Sequence, residues 1–277
     1  MRLENRVAII TGAGRGIGRA IALAYAQEGA RLALAARSRE ELEETATQAQ
    51  ALGATVCLIP TDVTDHVQVK DMARVALDRF SRIDVLVNNA GANSPVGALQ
   101  DSDVASWIQT VQVNLIGTYL CCREVLPAML GQDSGKIINL SGAGGMSAWA
   151  QMSAYCSSKA AVVRLTEALA LELAGTNIQV NAFGPGSINT RMWEEMRDSA
   201  KEAGATEIYE LGQRVTSGGG ASIEKAAELA VFLASDESGN LSGRVFSSFL
   251  DDFANLPPQI PDIMDSDAYL LRRKELA

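Results

Sequence analysis

The chain has 277 residues, of which 47% are hydrophobic and 21% charged, so it is long enough to bury one large core or two small ones. Its formal net charge of −9 argues against a surface that binds nucleic acid or an anionic membrane. The sequence contains no run of about 18 uninterrupted apolar residues that would predict a membrane span, and its first residues lack the pattern of a secretory signal peptide.

Short β-branched runs alternate with longer amphipathic stretches along most of the chain. The runs predict buried strands over residues 6–10, 31–36, 54–59, 83–88, 136–140 and 178–183, with 244–250 as a candidate seventh. The stretches between them predict helices over residues 16–28, 39–51, 65–80, 103–130, 152–174 and 222–235. This alternation is typical of an α/β fold, here a Rossmann-like, doubly wound parallel sheet of about seven strands between two helix layers. Because no linker or change of composition divides residues 1–277, we expect a single domain.

A glycine-rich turn follows the first predicted strand and precedes the first predicted helix. Its sequence, TGAGRGIG, allows a tight turn and lets a diphosphate approach the N–H groups and positive dipole of the helix start. The position between strand and helix makes this turn a candidate dinucleotide site, formed by Gly12, Arg15, Gly16, Ile17 and Gly18. The alternative is a strand–helix turn that binds no ligand.

The residues after the second predicted strand bear on which dinucleotide would bind. An acidic residue there would accept hydrogen bonds from a ribose 2′-hydroxyl, whereas this chain has Ala36 and Arg37. Arg37 and Arg15 could both pair with a 2′-phosphate, so the sequence favours NADP(H), with NAD(H) as the second choice. The alternative is that Arg37 only pairs with Glu40 or Glu41 on the surface.

Tyr155 and Lys159 lie four residues apart in an alanine-rich segment that predicts a helix. This spacing places the phenol and the ammonium on one helix face. There the ammonium would favour the phenolate and lower the Tyr155 pKa from its usual value of about 10. A tyrosine held in this way can exchange a proton with a carbonyl or alcohol oxygen. The alternative is an amphipathic pair whose stems pack on the core while the polar tips reach water.

Histidine and cysteine are scarce and scattered. The single histidine, His66, and the absence of a cysteine cluster predict no metal site and leave acid–base chemistry to Tyr, Lys, Asp or Glu. The cysteines lack a CxxC spacing and indicate four buried thiols in a reducing, cytoplasmic compartment: Cys57, Cys121, Cys122 and Cys156.

Further motifs accompany the glycine turn and the tyrosine–lysine pair. They are, in chain order, Asp62-Val63, Asn88-Asn89-Ala90-Gly91, Asn114, Ser141, and Pro185-Gly186 followed by Thr190. On these motifs, which span about residues 4–245, the chain resembles the single-domain short-chain dehydrogenases/reductases. The resemblance implies an oxidoreductase that interconverts a carbonyl and a secondary alcohol by hydride transfer from or to a nicotinamide dinucleotide, without a metal.

The resemblance also implies roles for individual residues. The catalytic residues would be Asn114, Ser141, Tyr155 and Lys159. Ser141 would hydrogen-bond the substrate oxygen and the Tyr155 hydroxyl, and Asn114 would hold a water beside Lys159. Because Asn114 falls inside a predicted helix and not at a strand end, that helix must bend or open locally. The cofactor would contact the glycine turn, Arg37, Asp62, Val63, Asn89, Gly91, Tyr155, Lys159, Pro185, Gly186, Ile188 and Thr190, while Asn88 would steady its strand end.

Two segments do not follow the strand–helix alternation. Residues 186–221 predict a partly helical lid that ends in a flexible glycine run. Residues 251–277 form a Pro- and Asp-rich tail. This tail packs on the surface, or its Phe253 and Tyr269 dock on a neighbouring subunit or over the substrate mouth. Large apolar residues also flank the expected site, and they predict either an apolar pocket or ordinary hydrophobic core: Trp149, Met152, Met192, Trp193 and Met196.

These features favour an NADP(H)-dependent oxidoreductase of a small-molecule carbonyl or alcohol, with a homo-oligomer (dimer or tetramer) expected from the resemblance. One alternative is a 3-oxoacyl-thioester reductase. Its acidic carrier protein would dock on basic residues for which the candidates are Arg123, Arg164, Arg191 and Arg197. A second alternative is a sensor that binds the dinucleotide without turnover, although a sensor has no need of Ser141 or Tyr155. No nucleic-acid or membrane partner is expected.

Overall fold

A parallel sheet of seven strands, in the order β3-β2-β1-β4-β5-β6-β7, forms the centre of the computed structural model, which describes residues 1–272. Its strands are β1 (Val7–Thr11), β2 (Arg31–Ala36), β3 (Val56–Pro60), β4 (Val85–Asn88), β5 (Gly135–Leu140), β6 (Ile178–Gly184) and β7 (Val245–Ser247). The predicted Rossmann-like fold is confirmed. β7 is shorter than predicted because the chain turns after Ser247, whose N–H donates to the Asp251 carboxylate at 2.7 Å.

Helices cover both faces of this sheet. They are α1 (Gly16–Gln27), α2 (Arg39–Ala51), α3 (His66–Phe80), α4 (Val104–Val111), α5 (Gly117–Gln132), α6 (Ala143–Met146), α7 (Ser153–Glu172), α8 (Arg191–Glu202), α9 (Thr206–Arg214), α10 (Ile223–Ala234) and α11 (Ile260–Met264). One buried cluster joins the sheet to α1, α2 and α10, and a second joins it to α3, α5 and α7. Within residues 1–272, none of the helices combines the length and the apolar character needed to cross a membrane.

The strand order creates a crevice at one edge of the sheet. From β1 the chain builds outward through β2 and β3, and then returns to add β4 on the other side of β1. The connections after β1 and β4 therefore leave in opposite directions. Open parallel sheets bind ligands at the carboxyl ends of their strands at such a point.

The tail folds back onto its own chain. Phe253 packs against Phe232, with ring centroids 6.3 Å apart, and Tyr269 packs against Phe246 at 4.8 Å. The Val245 N–H of β7 donates to the Tyr269 carbonyl at 2.9 Å, so the tail covers part of an edge strand. The last five residues of the predicted tail, 273–277, lie outside the described residues.

The four cysteines are free thiols, but only Cys121 and Cys122 are buried. Cys57 is half-buried because β3 is an edge strand of the sheet. Cys156 is half-buried on α7, where its Sγ accepts from the Trp149 N–H at 3.4 Å. The prediction of four buried thiols is therefore wrong for two of them.

Candidate active site

The glycine turn joins β1 to α1 at the carboxyl edge of the sheet. Gly12 and Gly16 have φ angles of +65° and +53°, which L side chains rarely adopt. A Cβ on Gly18 would lie 2.2 Å from the Gly12 carbonyl oxygen, so the turn and the helix pack this closely only without side chains. α1 begins without a side-chain cap, which leaves its first N–H groups available to a ligand. This cradle fits the diphosphate of a dinucleotide.

Asn89 holds the glycine turn in shape. Its Nδ2 donates to the carbonyls of Thr11 and Gly12 at 2.8 and 3.1 Å, and its N–H donates to the Thr11 hydroxyl at 3.1 Å. The neighbouring Asn88 donates to Asn139 Oδ1 at 2.9 Å and steadies β4 against β5. Asn89 therefore contributes to the cofactor cradle through the turn that it fixes.

The two arginines expected to select the cofactor differ in their surroundings. Arg37 is exposed directly after β2 and forms no ion pair within residues 1–272. Arg15 lies 3.2 Å from Glu41 on α2, and Arg191 lies 3.9 Å from the same carboxylate oxygen. The expected alternative, in which Arg37 pairs with Glu40 or Glu41, is not formed within residues 1–272: Glu41 pairs with Arg15, and Glu40 accepts from the Ser38 hydroxyl at 3.0 Å.

Asp62 and Val63 follow β3. Oδ1 of Asp62 accepts hydrogen bonds from the N–H and hydroxyl of Thr64 at 2.9 and 2.8 Å, which closes a tight turn. Val63 is buried against α5, where a Cβ on Gly117 would lie 2.8 Å from Val63 Cγ2. Asp62 is therefore the more accessible of the two residues.

Asn114 lies where the predicted helix 103–130 opens. A π-helical turn, Gln112–Ile116, separates α4 from α5, which confirms the prediction of a local opening. Asn114 is fully buried, and its side-chain amide both accepts from the Ala92 N–H and donates to the Ala92 carbonyl, each at 2.8 Å. It also donates to the Ser158 hydroxyl at 2.9 Å. A Cβ on Gly91 would lie 3.3 Å from Asn114 Oδ1 and 3.6 Å from Lys159 Nζ, so the structure brings these three residues together.

Ser141 and Tyr155 both border Gly142, at the end of β5. A Cβ on Gly142 would lie 2.2 Å from the Tyr155 hydroxyl oxygen, and Gly142 has a φ of +154°. The Ser141 hydroxyl is buried and donates to the Lys159 carbonyl at 3.4 Å. The predicted Ser141–Tyr155 hydrogen bond is not among those formed by residues 1–272, because the serine hydroxyl donates to the Lys159 carbonyl instead.

Burial changes the pKa values of the tyrosine and the lysine. Lys159 Nζ donates to the Leu140 carbonyl at 2.8 Å, and burial lowers the pKa of this ammonium to about 8. Burial, with a smaller contribution from Cys156, raises the pKa of Tyr155 to about 12. The predicted lowering of the Tyr155 pKa is therefore wrong for this structure, because burial removes the hydration that would stabilise the phenolate.

The chain after β6 crosses the crevice. The Pro185 carbonyl accepts from the Ser248 hydroxyl at 2.9 Å, and Gly186 has a φ of +81°. Ile188 is buried in the core. Thr190 faces the glycine turn, since a Cβ on Gly16 would lie 3.4 Å from Thr190 Cγ2.

A cleft opens beside the Tyr155 hydroxyl. Its lining consists of Asn93, Gly142, Ala143, Trp149, Tyr155, Pro185, Gly186, Ser187, Met192, Trp193 and Met196. Trp149, Met192, Trp193 and Met196 thus belong to the cleft, whereas Met152 is fully buried in the core. A larger open groove of about 660 Å³ between α8 and α9 contains none of the catalytic candidates.

Four residues of this site were not predicted in their observed roles. Ser158 supports Asn114, Gly142 makes room for the Tyr155 hydroxyl, and Asn93 donates to the Met192 carbonyl at 3.0 Å. Glu41 pairs with Arg15. Ser158 lies between Tyr155 and Lys159 in the sequence, and Gly142 follows Ser141, so their positions beside the motif residues were the available signals.

The fold and this site define a dinucleotide-binding α/β protein, and comparisons with known proteins identify its family. Residues 6–201 match the short chain dehydrogenase family. The chain is 37% identical over 245 residues, 88% of its length and 96% of the relative's, to 3-oxoacyl-[acyl-carrier-protein] reductase FabG of Thermotoga maritima.

Solved structures agree with that assignment. NAD⁺-bound xylitol dehydrogenase superposes with a TM-score of 0.84 and 29% identity, covering 89% of this chain and 98% of the other. Actinorhodin polyketide ketoreductase with NADPH gives a TM-score of 0.81 and 30% identity, covering 88% and 95%. The chain therefore belongs to the short-chain dehydrogenase/reductase family, whose members bind a nicotinamide dinucleotide. It is an oxidoreductase that acts on CH–OH and carbonyl groups.

Proposed function

We propose that the protein is an NADP(H)-dependent oxidoreductase that interconverts a ketone and a secondary alcohol, with Tyr155 as the general acid and base. The observation that carries this proposal is the position of Gly91. A Cβ there would lie within 3.7 Å of Asn114, Lys159 and Met192. The loop that follows β4, the buried lysine of α7 and the lid helix α8 therefore meet at Gly91. A nicotinamide ring at this point would lie beside the cleft that contains the Tyr155 hydroxyl.

Each residue of the chain has a defined task in this reaction. The bound dinucleotide supplies or accepts the hydride. Tyr155, with its pKa raised to about 12, is protonated at neutral pH, and its hydroxyl donates a proton to the carbonyl oxygen during reduction. Lys159, with a pKa of about 8, is mostly charged at neutral pH and stabilises the phenolate that forms. Asn114 holds Ala92, in the loop after β4, and Ser158, on α7, in place through hydrogen bonds of its side-chain amide.

The preference for NADP(H) rests on Arg37 and Arg15. Arg37 is exposed after β2 without an ion-pair partner in the described part of the chain, so its guanidinium is available to a 2′-phosphate. Arg15 lies on the glycine turn and is 44% exposed in its side chain, although it shares Glu41. The solved relatives hold either dinucleotide, so the choice has to come from residues such as these.

Residues 186–221 are proposed to act as a lid. The Ala221 N–H donates to the Ser187 carbonyl at 2.8 Å, which ties the two ends of the segment together at its base. Gly186 and Gly218 have φ angles of +81° and +103° and provide hinge positions at these ends.

The test is the oxidation of NADPH and of NADH, followed at saturating ketone, by matched pairs of variants. Tyr155→Phe should lower kcat by about 100-fold or more, whereas Tyr119→Phe, at an exposed tyrosine on α5, should not. Arg37→Ala should raise KM for NADPH about tenfold and leave KM for NADH unchanged, whereas Arg39→Ala, which removes only a surface pair with Glu43, should change neither. A Tyr155→Phe protein with full activity would contradict the proposal.

The two alternatives make different predictions in the same assay. A 3-oxoacyl-thioester reductase would prefer thioesters of an acidic carrier. However, the four candidate docking arginines each contact a carboxylate, namely Glu124, Glu167, Glu195 and Asp198, which leaves little free positive charge. A sensor would bind NADPH without oxidising it with any ketone.

We also propose a homo-oligomer, as expected from the family. Exposed apolar side chains on α4 and α5, among them Val104, Ile108 and Tyr119, support assembly through those helices. Because the tail covers part of β7, assembly through that strand is less favoured and a dimer is the expected state. Sedimentation equilibrium distinguishes a dimer from a tetramer.

A further inference from the structure

Four large apolar side chains surround the mouth of the cleft beside Tyr155. Trp149 lies with its ring centroid 6.2 Å from that of Tyr155 and 6.2 Å from that of Trp193. Met192 and Met196, on the same helix as Trp193, complete this wall. Indole and thioether groups pack well against flat apolar ligands.

Among the residues that the structure describes, no charged side chain belongs to the lining of this cleft. The one side-chain amide there, that of Asn93, donates to the Met192 carbonyl at 3.0 Å. Both arginines of α8 already contact a carboxylate of the same helix, Arg191 that of Glu195 at 3.0 Å and Arg197 that of Asp198 at 2.7 Å. A carboxylate or phosphate on the substrate would therefore lose its hydration without gaining a partner, which is unfavourable.

The two tryptophans of the cleft are more exposed than residues of the hydrophobic core. Met152, which was considered together with them, is fully buried, whereas Trp149 and Trp193 are only half-buried. Trp107, outside the cleft, donates its indole N–H to the Ser153 hydroxyl at 3.1 Å. The indole N–H groups of Trp149 and Trp193 donate to no acceptor within residues 1–272, so these rings are not fixed by hydrogen bonds and can move to admit a ligand.

The cleft is narrow in this structure. Its cavity volume is about 40 Å³, little more than the share of one water molecule in the liquid. If residues 186–221 open as proposed at Gly186 and Gly218, α8 moves outward and a substrate replaces the contacts among the aromatic rings. The surface that this movement offers to a substrate is uncharged, and its large side chains are apolar.

We infer that the substrate is an uncharged aryl ketone, or the corresponding alcohol, whose ring lies between Trp149 and Trp193 while its carbonyl oxygen meets the Tyr155 hydroxyl. This inference rests on the proposed function. It narrows that function from any ketone to one whose substituents are flat and without charge.

The test compares two ketones that differ in one group: 4′-methylacetophenone, and 4-acetylbenzoate, in which a carboxylate replaces the methyl group. With saturating NADPH, kcat/KM for the neutral ketone should exceed that for the carboxylate by about 30-fold or more. Binding is measured separately, as quenching of tryptophan fluorescence by each ketone. Trp193→Ala should weaken binding of the neutral ketone by about tenfold, whereas Trp107→Phe, outside the cleft, should leave the ratio of the two ketones unchanged.

A second variant tests the role of charge directly. Met192→Arg places a cation in the lining and should move the preference toward 4-acetylbenzoate by about tenfold or more. Met192→Leu, the uncharged control, should keep the original preference.

The outcomes separate this inference from the proposed function. Equal or better use of 4-acetylbenzoate by the unmodified protein would overturn the inference. If neither aryl ketone binds but the protein oxidises NADPH with a sugar ketone such as fructose, the inference is overturned and the proposed function stands. Quenching by 4′-methylacetophenone without any NADPH oxidation would support the inferred ligand class and contradict the proposed function.

Discussion

The two walls of the cleft are held in place by different interactions. The sheet wall, formed by the carboxyl ends of β1, β4 and β5 with the start of α7, is fixed by buried hydrogen bonds such as those of Asn89 and Asn114. The lid wall, residues 187–221, is held by a small apolar cluster that contains Met196 and Ile208 and by ion pairs on its surface. The sheet wall carries the proposed reacting groups, and the lid wall carries three of the four large apolar side chains at the mouth, Met192, Trp193 and Met196.

This difference in how the two walls are held indicates that they have different roles. Buried hydrogen bonds to the backbone define one geometry and are costly to break, which suits groups that must meet a hydride and a proton path. Apolar contacts and exposed ion pairs define a geometry less strictly, which suits a wall that must move and adapt to a substrate. The following predictions compare the two walls by substitution.

The largest expected effect is on the stability of the sheet wall. Asn114→Ala removes three hydrogen bonds and leaves the N–H and carbonyl of Ala92 without their partner, so it should lower the free energy of unfolding by about 3 kcal/mol. Asn189→Ala, which removes one 3.4 Å bond at an exposed position of the lid, should change it by less than about 0.5 kcal/mol. Urea unfolding of both variants measures the difference, and equal losses would contradict the comparison.

The next effect concerns pH and the two directions of the reaction. Alcohol oxidation needs the phenolate of Tyr155, whose pKa is raised to about 12, so its rate should rise by up to about tenfold per pH unit above neutral pH. Ketone reduction uses the protonated hydroxyl and should stay level until about pH 8, where Lys159 begins to lose its charge. Profiles of kcat/KM against pH in both directions test this, and an oxidation rate independent of pH would contradict it.

Unfolding does not explain a loss of reduction just above pH 8. The pKa values of the buried Lys159 and Lys136 are both lowered to about 8, so between pH 8 and the ordinary lysine value of 10.5 the unfolded chain binds more protons than the folded one. These two groups therefore make the fold more stable as pH rises from 8 to about 9, above which Cys121 and Cys122, whose pKa values burial raises from 9.0, act in the opposite direction. Circular dichroism over the same pH range provides the control.

A third effect separates a hinge glycine from a helical one. Gly218 has a φ of +103°, so Gly218→Ala should be strained by about 1 kcal/mol even though a Cβ there meets no atom within 4 Å. Gly131 on α5 also has open space but an ordinary φ, so Gly131→Ala should stabilise the protein by about 0.5–1 kcal/mol. Thermal unfolding measures both changes in stability, a decrease for Gly218→Ala and an increase for Gly131→Ala. The value of kcat should change only for Gly218→Ala.

The smallest effect lies where the two walls meet. The Glu41 carboxylate is 3.2 Å from Arg15 and 3.9 Å from Arg191, so it competes with a 2′-phosphate for Arg15. Glu41→Gln should therefore lower KM for NADPH by about threefold without changing KM for NADH. Glu43→Gln, which breaks only a pair with Arg39, is the matched control. A lower KM for NADH in Glu41→Gln would show that the charge acts on both cofactors.

The sheet wall could be predicted from the sequence because its motifs follow strands whose patterns are clear. The glycine turn, the Asn114 opening and the Tyr155–Lys159 helix all occur at the expected elements. The directions of the side chains could not be predicted, since Ser141 faces the Lys159 carbonyl and Lys159 Nζ bonds the Leu140 carbonyl as a result of packing.

The short helix α6 and the lid were harder to predict. α6 has the sequence AGGM, whose glycines disfavour a helix, and these glycines are required because a side chain there would collide with the site. A Cβ on Gly144 would lie 2.7 Å from Tyr155 Cε1, and one on Gly145 would lie 2.3 Å from Ser141 Oγ. In the lid, Gly204 has a φ of +67° and separates α8 from α9. The prediction of a partly helical segment over residues 186–221 did not include this division into two helices.

The central claim is that the Tyr155 hydroxyl delivers the proton at a site where NADPH delivers the hydride. A single-turnover experiment tests it most directly: protein loaded with NADPH is mixed with 4′-methylacetophenone, and the absorbance of the reduced nicotinamide is followed. We expect rapid loss of that absorbance with one alcohol formed per NADPH, and a loss slowed by about 100-fold or more in Tyr155→Phe with NADPH still bound. Equal rates in the two proteins would contradict it.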